Sequence, residues 1–182
     1  MTAPSFDSTH AVRFDLGSGS VRAAGQDEQL VLLPAAALAN LLLYASADAG
    51  VALGRALGES IGRRVAARIR STEPSVEQFA TQLAGEAALA GVGVLGLERW
   101  GRALVVIVEQ SPLAAPLLAP LIGAALEAAS GRKNVSSVLL AHDDGASRVL
   151  IASERGIERV RAWMMAGTPW GDALVKLHGG GS

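Results

Sequence analysis

Apolar residues recur at helical spacing from residue 35 to about residue 70, in two blocks of different character. In the first, Leu38, Leu41, Leu42, Ala45 and Ala49 form a single apolar face. In the second, Val51, Leu57, Ile61, Val65 and Ile69 are interrupted by Arg55, Glu59, Arg63, Arg64, Arg68 and Arg70. The pattern predicts two helices broken near residues 46–50. Pro34 stands at the start of the first, where a missing N–H costs nothing. Ahead of it, residues 12–16 and 30–33 read as short extended stretches, with a weaker strand at 21–24. Gly17, Ser18, Gly19 and a polar turn at 25–29 separate them.

A break at residues 71–74 precedes Ser75, an N-cap with Gln78 three residues on, the arrangement of a capping box. The helix it opens is expected to run to about Ala90 and stop at Gly91. Strands are predicted at 92–100 and 103–110, joined by a turn at Gly101 and Arg102. The run 104–108 is continuously apolar and β-branched, which fits a central strand covered on both faces. A helix over 113–129, ended by Gly131, leads to a hairpin made of 134–141 and 147–153 around a turn at 142–146. A last amphipathic helix covers 154–166 and ends at Gly167, Thr168 and Pro169. Residues 179–182 read as a flexible end and 1–11 as a flexible start, around one domain over 12–178. The order predicts an α+β fold, an antiparallel sheet packed with several helices, rather than a doubly wound nucleotide fold.

Within the second helical block, Gly50, Gly54, Gly58 and Gly62 recur at every fourth position and form a bare stripe on one face. Each costs about 1 kcal/mol relative to alanine in a helix interior. The stripe predicts close approach of another backbone or a ligand. A membrane glycine zipper is the sharper reading of such spacing. The arginines and glutamate on the same helix oppose it, because charges near a bilayer centre are strongly disfavoured.

Composition narrows the function classes. Half of the 182 residues are hydrophobic and 18% are charged, below the roughly 25% of an average soluble domain. So much apolar surface suggests that some is hidden in an oligomer interface. The net charge of −1 gives no support to nucleic-acid or anionic-membrane binding. The absence of cysteine removes disulfides, thiolate catalysis and cysteine-ligated metal centres, and fits a cytoplasmic protein. No signal peptide and no clean run of about 20 apolar residues is visible, so no membrane span is expected.

Candidate chemistry is sparse. Residues Gly91, Gly93 and Gly96 spell G-x-G-x-x-G, but a helix precedes and strands follow, the reverse of the phosphate-cradling context. His142, Asp143 and Asp144 form the one cluster resembling metal ligands or an acid–base group. Adjacent turn residues point apart, and Asp-Gly is itself a turn signal. His10 and His178 lie in tails. Ser111 and Ser153 have no histidine at triad spacing, and Glu98 and Glu109 are one carboxylate per strand. Trp100, Trp163 and Trp170 offer stacking surfaces, although Trp163 beside Met164 and Met165 suits a core or an interface equally well. Arg55, Arg63 and Arg64 offer a face for an anionic partner or simply a solvated one. No catalytic residue, cofactor or metal site is predicted.

Residues 14–153 resemble the four-vinyl reductase domain, related to transport protein particle (TRAPP) subunits. The resemblance is carried by the strand region 17–33 ending in Leu-Leu-Pro, the helix 38–44, and the glycine-spaced helix Gly50 to Gly62. It continues through Gly91 and Gly93 before a strand, the central strand 104–111, the small-residue helix 122–131, and the hairpin 138–152 turning at Asp144 and Gly145. Many bacterial members carry cysteines around that turn. Ala141 and Arg148 stand in the corresponding places, so a thiolate metal site is not carried over. The resemblance implies helices packed on an antiparallel sheet, usually dimeric through helices, in proteins that bind small apolar or aromatic ligands or serve as subunits of larger assemblies.

The leading expectation is therefore a non-enzymatic, TRAPP-like interaction module. It would be a homodimer, or a heterodimer with a related subunit, acting as scaffold or adaptor, with a small GTPase system as one setting by analogy. The alternative is a sensor for a small apolar or aromatic ligand, its pocket lined by Leu41, Tyr44, Leu57, Leu118, Ile122 and Trp163.

Overall fold

A computed structural model of the chain describes residues 6–24, 28–69, 75–101 and 103–179. Residues 25–27 of the predicted turn, Arg70, the 71–74 break, Arg102 and the side chain of His178 lie outside them, as do the two termini 1–5 and 180–182. The fold is α+β, with six helices and two antiparallel sheets among the described residues.

The N-terminal sheet comprises β1 (Val12–Asp15), β2 (Ser20–Ala23) and β3 (Gln29–Leu30) in that spatial order. Here β3 is shorter than the predicted 30–33. It pairs with β2 only through Arg22–Gln29 and Val21–Leu30, and β2 begins at Ser20. Val31 falls opposite Ser20 by register without pairing, and the residues after it run past the end of β2.

Helix α1 (Ala35–Leu43) follows Pro34 and buries none of its residues. It breaks at Tyr44, and Ser46 caps α2 (Ala47–Arg68) by accepting the Ala49 N–H. Next, α3 (Val76–Leu89) opens with both halves of the Ser75–Gln78 capping box. Then β4 (Val94–Trp100) and β5 (Ala103–Glu109) form a hairpin, and α4 (Ala115–Ser130) ends at Gly131 in the left-handed conformation. A second hairpin, β6 (Ser136–Asp143) and β7 (Ala146–Ala152), turns through Asp144 and Gly145, both at positive φ. That pair of left-handed residues matches the twist of the flanking strands. Helix α5 (Glu154–Met165) is capped by Ser153.

A further helix, α6 (Trp170–Gly179), stands where the sequence reading assigns no element before the expected flexible end at 179–182. It begins after Gly167–Thr168–Pro169, a stop signal for α5. The same proline serves the next helix, its carbonyl accepting the Ala173 N–H.

The main sheet has the order β4-β5-β7-β6, so β5 is interior and its side chains point alternately to two cores. Val106 and Val108 join Ile61, Leu118, Leu121 and Ile122 beneath α2, α3 and α4. Ala103 and Val105 join Leu150, Ile157, Val160 and Leu174 beneath α5 and α6. This double covering is why residues 104–108 are uniformly apolar.

The glycine stripe holds α2 against α4. A Cβ on Gly54 would come within 2.8 Å of the Leu117 carbonyl, and one on Gly58 or Gly62 would collide with the carbonyls of Leu121 or Ala125. Gly50 has nothing within 4 Å and takes no part in this contact.

An ion network ties the N-terminal sheet to these helices. Arg64, almost fully buried, donates from Nε to Glu86 at 2.7 Å and pairs with Glu28 at 3.3 Å. Arg68 also pairs with Glu86, and Ser60 donates to Glu28 at 2.7 Å. The Phe6 ring lies under the Arg68 guanidinium and against Gly85.

Candidate functional site

Where the ends of α2, α3 and α4 splay above the sheet, they form an open cavity of about 650 Å³. That is within the roughly 300–1,000 Å³ of small-molecule sites. Ile69 at the C-cap of α2 and Phe79 from α3 form one wall, and Leu126 and Ala129 from α4 the other. Leu104 of β5 and Ile151 of β7, direct neighbours in the ladder, form the floor. Each apolar wall is the unfilled end of a helix face whose remaining turns are packed in the core.

The mouth is shaped by residues 131–135. Gly131 and Asn134 both have positive φ, which folds the loop back over the end of α4. Glu127 fixes the loop by accepting the Val135 N–H at 3.0 Å, and it also faces Arg55 of α2 at 3.5 Å. Polar lining comes from Ser130 and Arg132. The Ser130 hydroxyl donates to the Leu126 carbonyl at 2.6 Å and accepts the Arg132 backbone N–H at 3.3 Å.

The six residues expected to line a pocket do not converge. Leu118 and Ile122 are fully buried in the core beneath α4, with Leu57 packed at its edge. Trp163 belongs to the core on the opposite face of the sheet. Leu41 and Tyr44, on and just after α1, are 66% and 92% exposed. Helical periodicity marked the buried faces of α2 and α4 correctly and that of α1 wrongly, and it does not say where a face ends unfilled, which is where the cavity lies.

Other candidate groups already have partners. Trp100 and Trp170 meet edge to face at 5.5 Å, Arg148 lies over Trp170, and Arg159 lies over Trp163. His142 Nδ1 lies 2.8 Å from the Ser147 hydroxyl, and Asp143 accepts from Arg148 at 2.6 Å. Ala141 and Arg148 face each other across the β6–β7 ladder. Among the described residues no group of three or more His, Asp or Glu side chains is placed to hold a metal ion. Gly93 serves packing, since a Cβ there would collide with the Glu109 carbonyl. Arg64, expected at a partner-facing or solvated surface, is instead buried against Glu86. Two opposite charges, each in register with the apolar positions of its own helix, were the available signal for that pair. No described helix is long and apolar enough to cross a membrane.

No family model matches the chain, and no curated protein matches its sequence. Its fold is similar to that in the crystal structure of the phenol-responsive sensory domain of the transcription activator PoxR with phenol. The likeness covers 88% of this chain and 94% of that one, with a TM-score of 0.64 and 16% sequence identity. At that identity the likeness is one of fold alone. It does not carry the narrower four-vinyl reductase or TRAPP membership that the sequence patterns suggest.

Proposed function

We propose that this chain is a ligand-sensing domain that takes a small, largely apolar molecule into the cavity between α2, α3, α4 and the sheet. The observation that carries the reading is the fold likeness to a phenol-responsive sensory domain over most of both chains. The cavity supports it independently, being concave, mainly apolar, and walled by three helices and two strands. In this reading the role is binding rather than catalysis. Ligand uptake stabilises the state that closes α2, α3 and α4 over the sheet, because a molecule that binds only the folded form adds to its stability by mass action.

The test is thermal unfolding across a panel of phenols, larger aromatics and alkyl compounds, repeated on Ile151→Trp, which fills the floor of the cavity. A rise in midpoint with one ligand class, lost in Ile151→Trp, supports the proposal. A midpoint indifferent to the whole panel overturns it.

A second reading, the interaction module, is favoured by one surface. Residues 30–47 contain no charged side chain. Within them Val31, Leu32, Leu33, Leu43 and Tyr44 are 62–92% exposed, an apolar strip of the kind that marks protein contacts. Here α1 is the contact through which the chain pairs with a copy of itself or a related subunit. A scaffold or adaptor role, with a small GTPase system as one setting, rests on that pairing. Sedimentation velocity at micromolar concentration tests it, and a monomer throughout would remove it.

A further inference from the structure

We infer that the ligand of this cavity is a carboxylate on an apolar aryl or alkyl body, with its charge met by Arg132 at the mouth. The inference rests on the sensing reading above and goes beyond it to the ligand's chemical class.

The argument is one of charge balance. Among the described residues lining the cavity, Arg132 is the one ionisable group, and no carboxylate of the described residues accompanies it. A guanidinium is always charged and presents a planar fork of donors that matches a carboxylate. Ser130 cannot take that role, because its hydroxyl proton is already directed to the Leu126 carbonyl. Ligand recognition by a polar group therefore falls to Arg132.

The comparison with other arginines sharpens this. Arg55, Arg63, Arg64, Arg68 and Arg148 each have a carboxylate within 4 Å. Arg132, like Arg13, Arg99, Arg155, Arg159 and Arg161, has none among the described residues, and of these it alone lines the larger cavity. A second cavity, of about 450 Å³ beside α4 and α5, also contains arginines, but Glu127, Glu154 and Glu158 share its lining. There the carboxylates outnumber the arginines, three to two, and give no preference for an anion. At the larger, apolar cavity no carboxylate among the described residues offsets the positive charge at the mouth. Such a site favours a molecule with an apolar body and one anionic end.

The experiment uses the whole chain and calorimetric titration. The probes are carboxylates with phenylbutyl, naphthyl and decyl bodies, each paired with the alcohol of the same body. At least one carboxylate should bind about tenfold more tightly than its alcohol at low salt, as expected for a charge-assisted pair. The margin should shrink as salt is raised, because the mouth is exposed. Arg132→Gln, an exposed substitution that leaves the core untouched, should bring carboxylate and alcohol to equal affinity. Ile151→Trp should weaken both. Equal affinity of acid and alcohol in the unaltered chain overturns the charge inference while leaving the sensing reading in place. Binding of neither overturns both, and a preference for acids that survives Arg132→Gln overturns the role of Arg132.

Discussion

Arg64 Nε donates a 2.7 Å hydrogen bond to Glu86 Oε2, and the Glu86 side chain is wholly buried. The bond joins the C-terminal part of α2 to that of α3. A buried carboxylate left without its cations is costly, whereas an apolar replacement of both partners is far better tolerated. Arg64→Ala should therefore lose about 3 kcal/mol of unfolding free energy. The double variant Arg64→Met with Glu86→Leu should lose much less than the sum of its single changes. Urea denaturation of the four proteins reads the cycle, and strict additivity would contradict the pairing.

The glycine stripe yields an opposed pair of substitutions. At Gly58 a methyl group would run into the Leu121 backbone, so Gly58→Ala should lose about 2 kcal/mol through overpacking. At Gly50 nothing lies within 4 Å, so Gly50→Ala should gain up to about 1 kcal/mol from helix propensity. Thermal melts of the two variants should move in opposite directions.

Acid should weaken the attachment of the N-terminal sheet. Burial alone would raise the Glu28 pKa, but the hydrogen bond from Ser60 and the charges of Arg64 and Arg63 outweigh it. Together they hold the pKa below the ordinary value of 4.5. A carboxylate depressed in the folded state adds stability above its unfolded pKa, and that contribution is lost as pH falls through the folded value. Unfolding free energy should decline as pH drops below about 4.5. Glu28→Gln should be less stable at neutral pH and show a flatter decline in acid. Denaturation midpoints between pH 3 and 7, measured at roughly unit steps, separate the two curves.

The apolar strip gives a solution prediction. Leu43 is 76% exposed and Tyr44 is 92% exposed, so introducing charge there should not disturb the core. If α1 pairs two chains, Leu43→Glu should shift sedimentation from dimer to monomer with no loss of thermal stability in the dilute limit. An unchanged sedimentation coefficient would show that α1 is not the contact.

Much of the fold was legible because its signals are local. Ser75 with Gln78, Gly131, and Asp144 with Gly145 each announce a boundary by their own chemistry, and the structure places boundaries there. The double covering of β5 was readable from an unbroken apolar run, because neither face of that strand meets water. The predicted ligand-lining residues fared differently. Leu118 and Ile122 lie on the correct face of α4 but in its filled middle, and Leu41 lies on a helix with no buried residue. A cavity depends on where three helices stop touching one another, and no single helix encodes that. Helix α6 was missed because Pro169 was read only as a stop signal, although the same residue suits a helix start.

The interior position of β5 has a consequence for how the molecule comes apart. Successive residues of that strand belong to different cores, so its backbone is the common wall of both. Neither core can expand while the other keeps its packing, since moving the wall disturbs side chains on each side. The helices on opposite faces of the main sheet should then melt together in a single transition, with calorimetric and van't Hoff enthalpies in agreement.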